Sequence, residues 1–324
     1  SDCELVIEAV FEDVGIKEGV TRAAEAAMPD SAIFASNTSA LPINDLARAS
    51  VRRDRFIGLH FFSPVPQMAL VEVIVGSETS PEVLARSLDY IRQIGKTPII
   101  VNDGYGFYTT RCVDAYVREG LRLLADGVDP QLVEAAGLAL GMPVGPLALG
   151  DEIGLEVMQH IAHFFRAREA GDWADDRHGA ANALLDRLVA DGRYGRKKLA
   201  GFHAYPEGAA KQLDRAYLAF LPVLDEQPAL ADIRERLLYA QLVEAARCWA
   251  EGIITDAGEA DLGAVLGWSF PSWLGGPLAA IDGIGPARFA ATADALAERL
   301  GARFTLPRQL RDMAAAGTGF HGRR

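Results

Sequence analysis

The 324-residue chain is half hydrophobic and 23% charged, the balance of a soluble globular protein with two or three domains. Its net charge of −12 weighs against nucleic acid or an anionic membrane as the main partner, and no apolar run reaches the length of an integral membrane segment. Cys3, Cys112 and Cys248 are far apart with no CxxC pair, which implies reduced thiols in a cytoplasmic setting and neither a zinc site nor a disulfide framework.

Strand and helix signals alternate over residues 3–103. Residues 3–10 (CELVIEAV) read as a buried strand, and the chain opens directly on it. Residues 14–28 read as a helix with Asp13 at its N-cap. A strand over 32–35 ends in Ser36-Asn37-Thr38-Ser39, and a short helix follows near 43–48 with Pro42 at its start. Strands over 56–62 and 70–75 flank a Pro-containing connector, a helix runs from Ser80-Pro81 to about 94, and 98–101 is a last strand. This alternation predicts a mostly parallel α/β sheet with an antiparallel edge.

The connector over 63–69 is too short for a parallel crossover, so the strands that flank it must pair antiparallel. With the turn centred there, His60 faces Glu72, with Cβ atoms about 5 Å apart. A carboxylate beside an imidazole fixes the ring tautomer and stabilises the imidazolium, which suits the other nitrogen to proton transfer near neutral pH. Ser39 lies just past one strand and His60 near the end of the next, so both belong to the carboxyl-end rim where α/β sheets bind ligands. A basic cluster, Arg193, Arg196, Lys197 and Lys198, offers a local surface for a phosphorylated ligand.

From Gly104 onward the chain reads as helical, without a clear strand, and it repeats. RCVDAYVREGLRLLADGVDP (111–130) is echoed by RLLYAQLVEAARCWAEGIIT (236–255), with Arg111, Glu119 and Gly127 matching Arg236, Glu244 and Gly252 at one offset. Gly145-Pro146, Asp151 and Gly154 then match Gly276-Pro277, Asp282 and Gly285. The spacing predicts a duplicated helical domain, with 206–230 as the link between copies.

The segments VIEAVFEDVGIK, FASNTSALPI, RFIGLHFFSPVPQMALVEVI, NDGYGFYTTR and GMPVGPLALGDEIGL, in that order, resemble the motifs of the L-3-hydroxyacyl-CoA dehydrogenase family. The later LVEAARCWAEGIITDAGEADLGAVLGWSFPSWLGGPLAAID is similar to the second helical repeat of multifunctional fatty-acid oxidation proteins, in which an enoyl-CoA hydratase domain precedes the dehydrogenase. The resemblance implies the C-terminal part of a Rossmann-like NAD-binding domain (1–104), a helical C-terminal domain as copy 1 (105–205), and a linker with copy 2 (206–324). It implies oxidation of a 3-hydroxyacyl-CoA to the 3-ketoacyl-CoA in β-oxidation, with NAD as cofactor and a thiolase subunit as possible partner. His60 then resembles the catalytic base, Glu72 its orienting carboxylate, and Ser39 the hydroxyl at the substrate oxygen and nicotinamide. Ala9, Glu12 and Lys17 lie in the segment that approaches the cofactor, and Ser63 stands where single-function members often carry Asn.

Two departures stand out. The family pattern Gly-Phe-x-x-Asn-Arg appears here as Gly106-Phe107-Tyr108-Thr109-Thr110-Arg111, so Thr110 replaces the Asn that helps hold the substrate carbonyl. No GxGxxG turn for the dinucleotide pyrophosphate is found, which implies a chain that starts partway through the sheet. The alternatives are a non-catalytic module of a β-oxidation complex and a short-chain 3-hydroxybutyryl-CoA dehydrogenase.

Overall fold

The computed structural model describes residues 3–166 and 179–322. Its α/β part comprises β1 Leu5–Glu8, α1 Val14–Glu25, β2 Ile33–Ser36, α2 Ile43–Leu46, β3 Phe56–Phe61, β4 Leu70–Val75, α3 Pro81–Gln93 and β5 Thr97–Asn102. Asp13 caps α1 by accepting from Ile16 N at 3.0 Å, and Ser80 caps α3, which carries Pro81 in its first turn. The strands form one sheet in the order β1-β2-β3-β4-β5. All neighbours are parallel except β3 and β4, which the short connector forces antiparallel. Their register sets His60 opposite Glu72 and Phe61 opposite Val71, as the position of the turn predicts.

Side chains alternate across the sheet, so the register also decides the faces. Ile33, Ala35, Ile57, Leu59, Val71 and Val73 form one core with Val83 and Ile91 of α3. Phe34, Phe56, His60, Leu70 and Glu72 belong to the opposite face. There Phe34 and Phe56 pack at 5.4 Å between ring centroids.

The helical part comprises α4 Thr109–Ala125, α5 Pro130–Leu140, α6 Pro146–Ile153, α7 Leu155–Arg166, α8 Gly179–Ala190, α9 Leu230–Ala250, α10 Ala257–Trp268, α11 Pro277–Ile284, α12 Pro286–Leu300 and α13 Arg308–Ala316. It also holds two strands where the sequence reads none, β6 His203–Ala204 and β7 Gln212–Leu213, too short to leave a period-two pattern. The segment read as a link between copies carries β7 and a short 3-10 helix at Ala216–Phe220, whose Tyr217 ring is buried edge-on against Phe202. Among the described residues no helix is long and apolar enough to cross a membrane.

The chain divides into two compact units. The first joins Ser1–Arg111, Ala245–Ile284 and Thr318–Arg324. In it α10 lies on the β4–β5 side of the sheet, and it comes close because it presents glycines there. A Cβ at Gly267 would meet Leu70 at 2.8 Å, and one at Gly263 would meet Ile99 at 2.6 Å. The second unit joins Cys112–Glu244 and Gly285–Gly317. In it the buried Glu119 carboxylate is held between Arg236 and Arg303, each at 2.7 Å. Arg193 does not belong to the basic surface expected from the sequence, because it is buried and paired with Asp191 and Asp214.

The duplication extends to a triplet that the motif matching passes over. Gly201-Phe202-His203 in the second unit corresponds to Gly319-Phe320-His321 in the first. The Asp151 carboxylate accepts from Phe202 N (2.8 Å), His203 N (2.9 Å), His203 Nδ1 (3.0 Å) and the Tyr205 hydroxyl (3.0 Å). Asp282, the matching residue, accepts from Phe320 N, His321 N and His321 Nδ1 at 2.9–3.1 Å. Any Cβ at Gly201 or Gly319 would collide with the clamped carboxylate, at 1.9 and 2.6 Å. In each copy a second helical carboxylate caps the Gly-Pro helix that follows. Glu134 takes Leu147 N and Ala148 N, and Asp261 takes Leu278 N and Ala279 N.

Asp151→Ala strands several buried donors and is expected to cost about 3 kcal/mol or more in chemical denaturation, with Asp282→Ala costing less at its more exposed site. Burial pushes Asp261 up to about 6 from its ordinary 3.8. A raised carboxyl contributes stability below its unfolded value and loses it as pH rises through the folded one. Thermal unfolding from pH 3.8 to about 6 should therefore show wild type losing stability relative to Asp261→Asn.

Candidate active site

His60 is buried at 6% exposure and Glu72 at 0%, which rules out solvent as the carboxylate's partner. Protein groups supply what water does not. His60 Nδ1 lies 2.9 Å from Glu72 Oε2. Glu72 Oε1 accepts from Tyr108 N at 3.0 Å and Thr109 N at 3.1 Å, the first N–H groups of α4. Oε2 also accepts from the Thr109 hydroxyl at 2.7 Å. A helix start has unpaired N–H groups and a partial positive charge, so it receives an anion where an apolar core would not. The chain enters α4 through Gly106 at φ +70° and Phe107 at φ +50°, both left-handed, and this turn aims the two N–H groups at the carboxylate. The ring of His60 packs between Phe62 and Phe107, with centroids at 4.4 and 6.3 Å.

The same helix start reaches the loop after β2. Thr110 donates its hydroxyl to the Ser39 carbonyl at 2.9 Å. Ser39 N and Ala40 N donate to Glu12 Oε1 at 3.0 and 3.1 Å, and the Thr38 hydroxyl donates to the same oxygen at 2.6 Å. Glu12 Oε2 pairs with Lys17 at 3.3 Å. Lys17 is itself buried at 1% and is held by Glu8 at 3.0 Å and the Val10 carbonyl at 3.3 Å. Glu8 in turn accepts from the Ser36 hydroxyl and from Val10 N. Asn37 Oδ1 accepts from Phe61 N at 2.8 Å, tying this loop to the strand end beside His60.

Six of the eight residues singled out from sequence thus stand in two bonded groups that the start of α4 joins through its backbone: His60 with Glu72, and Thr110 with Ser39, Glu12 and Lys17. Ser63 lies outside them, in the exposed connector after a strand end, where the Ser63–Pro64 peptide is cis. Ala9 lies outside them too, exposed just past β1. Lys17 fits a buried counter-ion for two carboxylates. Among the residues that sequence reasoning passed over, Thr109 and the backbone of Tyr108 matter most. A Thr pair one residue after Gly-Phe, at a helix start, is the signal that points to them.

The family profile described as "3-hydroxyacyl-CoA dehydrogenase, NAD binding domain" matches residues 1–104, and "3-hydroxyacyl-CoA dehydrogenase, C-terminal domain" matches residues 106–205. The fatty acid oxidation complex subunit alpha of Shewanella frigidimarina (strain NCIMB 400) is 40% identical over 323 residues, covering 99% of this chain and 45% of that protein. The chain spans about half the length of the curated relatives it matches. Among solved structures, (S)-3-hydroxybutyryl-CoA dehydrogenase PaaH1 from Ralstonia eutropha is 35% identical with a TM-score of 0.58, covering 63% of this chain and 71% of that one. 3-Hydroxybutyryl-CoA dehydrogenase from Escherichia coli K12 superposes with a TM-score of 0.78 over 97% of this chain and 82% of that one, at 22% identity, and shares the fold.

Removing the buried cation isolates this function of Lys17. Lys17→Met leaves the Glu8 and Glu12 carboxylates without their counter-ion, and urea unfolding is expected to register a loss of about 3–5 kcal/mol.

Proposed function

The chain belongs to the 3-hydroxyacyl-CoA dehydrogenase family, and from that premise we propose that His60 is the general base of a reversible oxidation of 3-hydroxyacyl-CoA to 3-ketoacyl-CoA. NAD, the cofactor of the family's first domain, supplies the hydride acceptor when bound. The observation that carries the reading is the buried Glu72 carboxylate bonded to His60 Nδ1 and held by the start of α4. A carboxylate so held keeps the Nδ1 proton in place and leaves Nε2 to take the proton of the substrate hydroxyl. The imidazolium that results is stabilised by the same carboxylate.

Ser39 is the hydroxyl for the substrate oxygen as it passes between alcohol and carbonyl. Thr110 supports it indirectly. Its own proton is committed to the Ser39 carbonyl, so it fixes the Ser39 loop where a longer Asn side chain would reach the substrate. Glu12 and Lys17 hold that loop from the other side.

The names of the relatives support a setting in fatty-acid oxidation as part of a complex. A thiolase subunit as partner and a cytoplasmic location belong to the proposal as what the family resemblance implies. The matched carboxylate clamps at Asp151 and Asp282 support 105–205 and 206–324 as two copies of one helical domain. The name of PaaH1 favours a second reading, a short-chain 3-hydroxybutyryl-CoA substrate, and turnover across acyl-chain lengths separates the two.

The test is reduction of acetoacetyl-CoA by NADH, followed by loss of nicotinamide absorbance. His60→Ala is expected to lower turnover by roughly 10²–10⁴-fold. Turnover of the variant near that of wild type would overturn the assignment, and a chain that binds acyl-CoA but never turns it over would favour the non-catalytic module.

A further inference from the structure

The Gly-Phe-x-x-Asn-Arg pattern leaves position 109 open, and any residue there can offer its backbone N–H to Glu72. Thr109 offers more. Its side chain is buried at 0% exposure and its hydroxyl meets Oε2 at 2.7 Å, the same oxygen that faces His60 Nδ1 at 2.9 Å. The two oxygens of Glu72 are therefore dressed unequally. Oε1 takes two backbone donors, and Oε2 takes one hydroxyl and the imidazole.

This asymmetry has a consequence for the ring. A carboxylate anchored only at Oε1 is free to pivot about that oxygen and to swing Oε2 away from the imidazole. A second anchor on Oε2 removes the pivot. With Oε2 fixed, the ring is held with its proton on Nδ1, since only a donor is acceptable to a carboxylate oxygen at that distance. Nε2 is then the unprotonated nitrogen, and a base needs its lone pair there before the substrate arrives.

We propose that the Thr109 hydroxyl is a positioning group for the His60–Glu72 pair, fixing Oε2 so that the neutral imidazole carries its proton on Nδ1 alone. The proposal concerns how the pair is held, and it rests on the reading of His60 as base for its kinetic consequence only. Thr109 touches neither substrate nor cofactor in this scheme, and no bond is made or broken at it.

Thr109→Val keeps the shape and the backbone N–H but deletes the hydroxyl, and Thr109→Ser keeps the hydroxyl. The deciding measurement is the nitrogen spectrum of histidine-labelled protein at mildly alkaline pH, with His60 identified among the six histidines by its loss in His60→Gln. Wild type and Thr109→Ser are expected to show one protonated Nδ1 and one unprotonated Nε2 at His60. Thr109→Val is expected to show both nitrogens averaged between the two tautomers. An identical nitrogen pattern in wild type and Thr109→Val overturns the proposal, as does a Ser variant that behaves like the Val variant.

In the acetoacetyl-CoA assay Thr109→Val should lower kcat about tenfold with KM little changed, the size expected for one lost hydrogen bond to a charged group. Thr109→Ser should restore most of it. A Val variant with wild-type kcat counts against the proposal. If His60→Ala instead retains turnover, the base assignment fails, while the nitrogen spectra still decide whether Thr109 holds the pair.

Discussion

A fully buried carboxylate is the constraint around which the first unit is arranged. Glu72 sits in the interior of β4, where an uncompensated charge would cost several kcal/mol. The fold meets this by bringing the start of α4 down onto it, so that N–H groups with no partner of their own find one in the carboxylate. The two deficits cancel, and the cancellation fixes the angle at which the chain leaves the sheet. The left-handed Gly106 and Phe107 are the local cost of that angle. Once α4 starts there, its next residue, Thr110, meets the Ser39 loop and ties it to the candidate site.

The face behind the pair is covered by α10, which follows the sheet by more than a hundred and fifty residues. Tyr108 gives its backbone N–H to Glu72 and its hydroxyl to the Ala260 carbonyl of α10 at 3.1 Å, while its ring meets Trp268 edge-on. Glu259 of the same helix accepts from Ile100 N of β5 at 2.7 Å. The second helical copy therefore contributes to the site's support directly: α10 buttresses the residue that holds the carboxylate. This gives a physical reason for the duplicated segment to remain with the sheet, independent of any contact it makes elsewhere.

The sheet and the pairing of His60 with Glu72 were legible because they follow from few constraints. A seven-residue connector allows only antiparallel pairing, and period-two alternation then leaves little choice of register. The role of Lys17 was not legible in the same way. The resemblance places it in the segment that approaches the cofactor, and the structure adds that its ammonium pairs with the buried Glu8 and the partly exposed Glu12, a pairing no local pattern reveals. Thr109 was hidden for a related reason. In the sequence it is a helix-start threonine, and only the distance from β4 to α4 turns it into a partner of Glu72. Arg193 was misplaced because a run of basic residues reads as one surface, yet its guanidinium lies between Asp191 and Asp214.

The internal repeat shows how far a motif can drift while the physics it serves stays fixed. Asp151 and Asp282 match in sequence and clamp the same Gly-Phe-His backbone, with glycine required because a Cβ would overlap the carboxylate. The capping carboxylates are matched less closely. Glu134 and Asp261 belong to corresponding helices and both cap a Gly-Pro helix, but one has the longer side chain and they do not share one offset with the rest of the repeat. What both copies keep is the requirement that a helix start be met by an anion. An ion pair is matched in both copies as well: Arg111 pairs with Glu251 in the first unit, and the matching Arg236 pairs with Asp126 in the second. Glu72 at the start of α4 is a third answer to that requirement, and there the anion has also acquired a histidine.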